Sequence, residues 1–390
     1  MEKRLRYLDR LKVFLTVLVV FHHTAITYGG AGSWFYYEHQ DNIATNALLS
    51  TFTAVNQSFF MGLFFFISGY VTPASYDRQG GFRFLKARLL RFGIPLMFYM
   101  LVIAPLLWYV ASGYKGSLGA FIREQAVHHP FQGISAFAVG PLWYLEALLL
   151  FFGAYTGFRI LTAGKRRSKT LVLTPSLMAM YVGTVASANF ILRLAYPVGT
   201  EVLNLQLGYF PAYIGLFMAG IAAYRGNWLQ RLNENAARKW KWTFIALIIL
   251  MSAGMALGGA MEGDISAFMG GMNWQSAFYA LIDPLMGLGI SYVLLVWFCK
   301  RWNGAVTKLS GWLSANAFLV YILHALFVTY VAFALRDLAW HPIVKFITTG
   351  CTAVIISFLV ASLIRQSPRI IMKINLKKFN RSVDSDSRSL

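Results

Sequence analysis

Apolar stretches of about twenty residues, parted by short polar and basic segments, recur along the whole chain. Ten of them can be counted, at about 11–28, 49–72, 89–111, 137–158, 171–192, 206–224, 242–260, 275–299, 313–334 and 343–364. Each is long enough to cross the hydrocarbon of a bilayer. Inside lipid a single segment satisfies its own backbone polar groups only as a helix. The pattern therefore predicts an all-α integral membrane protein of about ten transmembrane helices. The longest polar intervals, 29–47, 112–136 and the tail from 366, are too short to fold alone. The chain reads as one transmembrane domain over residues 1–365, followed by a basic tail, 366–390, that lies on the membrane surface and ends in disorder. No repeat of fixed period links its two halves.

Composition agrees with lipid as the solvent, since 13% of the residues are charged where soluble domains carry about 25%. The net charge of +20 suggests nucleic acid until its distribution is read. Of the 35 Lys and Arg residues, 30 fall at the two ends and in alternate loops, and the intervening loops hold only Lys115, Arg123, Arg193, Arg336 and Lys345. This positive-inside pattern excludes nucleic acid as the partner and places both termini in the cytoplasm, as an even number of spans also requires. Cys299 and Cys351 alone cannot supply a disulfide framework or a zinc site. The basic start and the Gly29-Gly30-Ala31-Gly32-Ser33 segment imitate a cleaved secretory signal, but histidines inside the apolar run favour a retained first helix. Trp34, Phe35, Tyr36 and Tyr37 read as an aromatic belt at the outer interface, and Phe121 to Pro130 as a short interfacial helix containing the pair His128-His129.

The candidate chemistry lies within the spans. His22 and His23 sit near the far end of the first. An ionisable side chain in hydrocarbon costs roughly 2.5–3.5 kcal/mol on insertion scales, so such residues usually have a task. Lys12 precedes His23 by eleven positions, which puts the two on one helix face, about 16 Å apart along the axis. That arrangement suits a long anionic substrate whose reactive end reaches inward. Arg88 and Arg91, at i and i+3, share a face at the cytoplasmic mouth of the third span, and paired guanidinium groups suit phosphate. The competing account is an ordinary basic flank touching lipid headgroups. Glu146, three residues after Trp143 in the fourth span, either orients an imidazole and moves a proton or pairs with Arg193. Asp283, next to Pro284, is either a further polar group of the site or a structural partner for backbone freed by the kink. Tyr321 and His324 add a third intramembrane imidazole and its neighbour in the ninth span. Gly254 and Gly258 form a small-residue face for helix packing. Adjacent histidines point in different directions on a helix, so no metal site is expected. No nucleophile elbow, Walker A loop, H-E-x-x-H or C-x-x-C occurs.

These blocks, taken together and in order, resemble the membrane acyltransferase-3 family over residues 5–365, and within it the bacterial glucan-succinylating members. Leu8-Asp9-Arg10-Leu11-Lys12 is similar to that family's L-D-x-L-R opening, and ten residues separate Lys12 from His23, as in its R-x10-H spacing. Lysine stands in the arginine place and lacks the planar fork. Arg88-Leu89-Leu90-Arg91 resembles its R-x-x-R; Ser68-Gly69-Tyr70, Pro141-Leu142-Trp143-Tyr144 and Tyr321-Ile322-Leu323-His324 resemble its other blocks. The resemblance implies a multi-pass protein of the bacterial cytoplasmic membrane that transfers an acyl group, acetyl or succinyl, from cytoplasmic acyl-CoA to a hydroxyl of a cell-envelope carbohydrate or similar acceptor. It implies that Lys12, Arg88 and Arg91 hold the donor phosphates. It also implies that His23, assisted by His22 and Glu146, is the base or carries the acyl group, with His324, Tyr321, Trp143 and Asp283 as further polar candidates. Acyl-CoA is then a substrate, and no tightly bound cofactor is expected. The alternative is a proton-coupled transporter or glycan/lipid exporter with His22, His23, Glu146 and Asp283 as a relay, against which stands the lack of repeated halves.

Overall fold

The computed structural model describes residues 5–39, 41–128, 139–162, 171–260 and 265–386. Ten helices are long and apolar enough to cross a membrane: α1 (Arg6–Thr27), α2 (Ile43–Gln79), α3 (Gly81–Ala111), α4 (Gly140–Leu161), α5 (Pro175–Ala195), α6 (Leu207–Arg225), α7 (Glu234–Leu257), α8 (Trp274–Arg301), α9 (Lys308–Ala334) and α10 (Pro342–Ser367). One helix falls on each apolar stretch, and no β-strand occurs among the described residues. The backbone of α10 does not leave the helix at residue 365 but stays helical to Asp386. The interval 112–136 contains a helix, Leu118–His128, while His129 and Pro130 lie outside the described residues.

Helix α1 occupies the middle, with α2, α8, α9 and α10 packed around it. Its Leu11, Leu15, Val19 and Val20 are buried, whereas α5 and α7 turn Met180, Ile191, Ile249 and Leu257 outward to lipid. The tightest seam joins α2 to α6. A Cβ added at Gly69 would lie 2.1 Å from the carbonyl oxygen of Phe217, and one at Gly220 would lie 2.1 Å from that of Phe66. Only glycine lets these backbones approach so closely. Gly254 and Gly258 serve the same purpose at the rings of Phe278 and Phe268.

Helix α3 is irregular for a reason legible in its prolines. Two wide π-turns, Leu89–Gly93 and Tyr99–Ile103, precede Pro95 and Pro105 by one turn. Each proline lacks an N–H and crowds the carbonyl four residues earlier, which widens the preceding turn. Arg91 lies within the first of these turns, and Arg88 directly precedes it.

Asp283 of α8 pairs with Arg193 of α5, from Nη2 to Oδ2 at 3.1 Å, and Arg193 Nε donates to the Gly208 carbonyl at 3.0 Å. The rings of Tyr209 and Tyr279 flank the guanidinium at 5.3 and 4.9 Å. Arg193, which the charge pattern assigns to a loop, thus lies wholly buried in the last turn of α5, and its carboxylate partner is Asp283, not Glu146. Removing one member of such a pair strands the other and costs roughly 3–5 kcal/mol, while apolar replacement of both is far milder. Arg193→Ala is expected to lower the thermal unfolding midpoint of the detergent-solubilised protein sharply. Arg193→Met with Asp283→Leu is expected to recover most of the loss. Equal midpoints for the single variant and wild type would show that the pair holds nothing.

Candidate active site

The histidines of α1 meet aromatic and imidazole rings from two other segments. Trp34, in the loop after α1, stacks on His23 at 4.0 Å between ring centroids, with 18° between planes. His324 of α9 lies 5.3 Å from His23 and 6.1 Å from Trp34. Those three separations make a nearly right-angled triangle at His23, so Trp34 covers one face while His324 stands beside the ring. His22 meets His23 edgewise at 5.3 Å and rests against Phe60 at 4.7 Å. His22 and His324 are buried and His23 is partly open.

Hydrogen bonding assigns the tautomer of His324. Its Nδ1 lies 2.6 Å from the Tyr321 carbonyl, which only accepts, so Nδ1 carries the proton and the neutral ring offers its lone pair at Nε2. That Nε2 is buried with no partner, as are Nδ1 of His22 and Nδ1 of His23. Three imidazoles side by side, each with an unsatisfied nitrogen, are costly unless something else comes to meet them. The Tyr321 hydroxyl donates to the carbonyl of Pro141 and fixes α9 against the start of α4. From there Tyr144 continues the polar seam, its hydroxyl 2.8 Å from Ser68 Oγ and 3.1 Å from the Phe64 carbonyl.

The basic residues form a separate layer nearer the termini. Arg88 donates through Nη2 to Ser75 Oγ at 2.9 Å, and its guanidinium lies over Phe84 and Phe152 at 5.0 and 5.2 Å. Its Nε is buried without a partner. Arg91 is exposed, over Phe92 and Phe318 at 5.7 Å each. Phe318 precedes His324 by six residues, so this layer lies about 9 Å along α9 from the imidazoles. Lys12 is held by Asp9 on its own helix at 2.8 Å. Trp143 is stacked on Tyr213 at 5.3 Å, beside Phe65. Glu146 is partly open, its Oε2 is buried without a partner, and it forms no hydrogen bond or ion pair with either histidine of α1. The fold thus gathers His22, His23, His324 and Tyr321, sets Arg88 and Arg91 one layer away, and leaves Asp283 committed to Arg193.

A family model described as an acyltransferase domain, that of the acyltransferase 3 family, matches residues 5–362. The chain belongs to this family. No curated protein and no solved structure matches it. The imidazole cluster is therefore a feature of a membrane acyltransferase, and the matched region contains every residue of it.

One residue of this acyltransferase escaped sequence reasoning. Trp34 reads as an interfacial belt, yet it is buried on His23. It sits in a non-helical loop that turns back toward the bundle, and no periodicity announces such a return. Among the described residues no three His, Cys, Asp or Glu side chains converge on a metal ion. Because Trp34 shields one face of His23, Trp34→Ala is expected to speed carbethoxylation of the peptide carrying His22 and His23 by diethyl pyrocarbonate, read by mass spectrometry. Trp34→Phe is expected to stay at the wild-type rate. Identical rates in Trp34→Ala and wild type would show that the stack does not shield the ring.

Proposed function

We propose that this acyltransferase moves an acetyl- or succinyl-class acyl group from cytoplasmic acyl-CoA to a hydroxyl of a cell-envelope carbohydrate or similar acceptor, with both termini in the cytoplasm. The observation that carries the reading is the partly open His23, capped by Trp34 and flanked by His324, standing beyond a pair of arginines at the terminus-bearing end. An imidazole with an unpartnered nitrogen is suited to general-base work, and the guanidinium groups are suited to donor phosphates.

In the proposed reaction the acceptor O–H gives its proton to the His23 imidazole as its oxygen attacks the thioester carbonyl. The tetrahedral intermediate then collapses, the C–S bond breaks, and the departing thiolate takes the proton back from the imidazolium. The products are the O-acyl ester and free CoA. His324, with Nδ1–H tied to a carbonyl, offers Nε2 as a second proton acceptor close to His23. Glu146, whose Oε2 has no partner, answers the transient positive charge through water. Lys12 contributes charge at the donor entrance once released from Asp9. A proton relay for transport gains no support, because Asp283 is held by Arg193 and Glu146 forms no hydrogen bond or ion pair with either histidine of α1.

His23→Ala is expected to cut acyl transfer by about 10²–10⁴-fold, with an unchanged unfolding midpoint. Wild-type turnover in His23→Ala membranes refutes the assignment. Arg88→Ala and Arg91→Ala are expected to raise the donor KM with little change in kcat, and Arg88→Lys should not restore it, since lysine cannot reproduce the fork. Donor kinetics identical to wild type in both alanine variants would leave these arginines only a topological role.

A further inference from the structure

The segment between α1 and α2 is built as a plug on a fastened neck. The Glu38 N–H donates to the Thr27 carbonyl at 2.9 Å, which draws together the ends of residues 28–37 as in an Ω-loop. Both ends of this neck are bound to α10. The Tyr28 hydroxyl lies 2.8 Å from Thr349 Oγ1, and Glu38 Oε1 lies 2.6 Å from the buried Lys345 Nζ. Two backbone donors complete it: the Gly30 N–H reaches the Ala25 carbonyl at 2.8 Å, and the Ala31 N–H reaches Ser50 Oγ at 3.1 Å.

Past Ala31 the bonding changes. Among the described residues, the hydrogen bonds of residues 32–37 are internal. The Trp34 N–H donates to the Tyr37 hydroxyl at 2.5 Å, and that hydroxyl donates to the Gly32 carbonyl at 3.2 Å. What holds this tip to the helices is three rings in a row. Trp34 stacks on His23 at 4.0 Å, Phe35 meets Trp108 of α3 edgewise at 5.3 Å, and Tyr36 meets Phe333 of α9 edgewise at 5.8 Å. Parting these rings strands no hydrogen-bond donor or acceptor, so the tip can lift as one body while the neck stays fastened. The closed position even leaves one donor wanting, because Trp34 Nε1–H is buried without a partner. Gly29 and Gly32, with φ of 113° and 148°, lie on either side of the join between neck and tip, where backbone angles must change. Beside the neck a space of about 270 Å³ separates Ile26 and Asn46 from Tyr37 and His39, so its base is not packed solid on that side.

We propose that residues 32–37 are an aromatic lid, closed when Trp34 lies on His23 and open when the tip lifts to admit the acceptor from the side of the membrane away from the N-terminus. Closed, the lid keeps water from the imidazoles and from a thioester held among them. This purpose rests on the acyl-transfer reading; the movement does not.

The movement is read without turnover. In a Cys299→Ser, Cys351→Ser protein in liposomes, spin labels are placed at Ser33→Cys, on the tip, and at Met272→Cys, in the exposed loop before α8. Two label separations are expected, with Trp34→Ala shifting weight to the open one. A single narrow separation, the same with and without Trp34→Ala, overturns the lid. The purpose is read by locking it. Tyr36→Cys with Phe333→Cys, in the same background, is bridged by a short bis-methanethiosulfonate, the bridge confirmed by intact mass. Acetyl-CoA or succinyl-CoA is the donor, and envelope glycan from a strain lacking the protein is the acceptor. The bridged protein is expected to lose ester formation and to regain it on reduction, while each single-cysteine protein given the same reagent keeps it. Undiminished ester formation by the bridged protein overturns the lid as a gate and leaves the acyl-transfer reading standing. A wild-type protein that forms no ester from either donor overturns that reading, and the label separations still decide whether the tip moves.

Discussion

A histidine inside a bilayer has no water to satisfy it, and the rest of this structure can be understood as the consequence of placing three there. The first span carries His22 and His23 into the centre of the bundle, and the ninth brings His324 beside them. Closure comes from outside the helices. The loop after α1 turns back so that Trp34 lies on the His23 ring. Gly29 and Gly32, with φ of 113° and 148°, make that reversal in backbone conformations that other L-residues rarely adopt. The Tyr28 hydroxyl on Thr349 and the Glu38–Lys345 ion pair then anchor both ends of the loop to α10. The last transmembrane helix is in this sense part of the cover over the imidazole cluster, although it contributes no imidazole.

Seen along the membrane normal, the polar groups fall into layers that the apolar packing keeps apart. At the terminus-bearing end Arg88 and Arg91 lean on the rings of Phe84, Phe92, Phe152 and Phe318. Ring faces favour a cation without neutralising it, so both guanidinium groups retain donors for an anion. The imidazoles lie farther along α9, where His324 stands about 9 Å beyond Phe318. On the proposed reading, a thioester that entered at the arginines and an acceptor that entered from the far side would meet where His23 stands.

What could be read from the sequence was whatever leaves a periodic or local trace. Apolar runs of membrane length fixed the helices, and ionisable residues inside those runs singled out His22, His23, His324, Glu146 and Asp283. Arg88 and Arg91 were visible as a pair, but the π-turn before Pro95 that contains Arg91 was not, since a wide turn changes geometry without changing composition. Pairings across distant segments left no trace at all. Arg193 with Asp283 joins residues 90 positions apart, and Lys345 with Glu38 joins residues 307 apart. From charge patterns alone Arg193 and Lys345 counted as loop residues, yet both are buried. Positive charge predicts the side of the membrane on which a segment ends, not whether a buried carboxylate awaits it.

Adjacency in sequence does not make the two histidines of α1 equivalent. Successive residues on a helix point about 100° apart, so His22 and His23 face different neighbours. His22 is directed to Phe60 on α2, an apolar wall, and is buried. His23 is directed to Trp34 and His324 and keeps part of its surface open. A base must be reachable by the proton it removes, and must be desolvated enough for its geometry to be fixed. On the proposed reading His23 meets both conditions, and His22 meets only the second. His22 meets that ring edgewise, at 5.3 Å between centroids and 84° between planes, and so packs against His23 instead of sharing its neighbours.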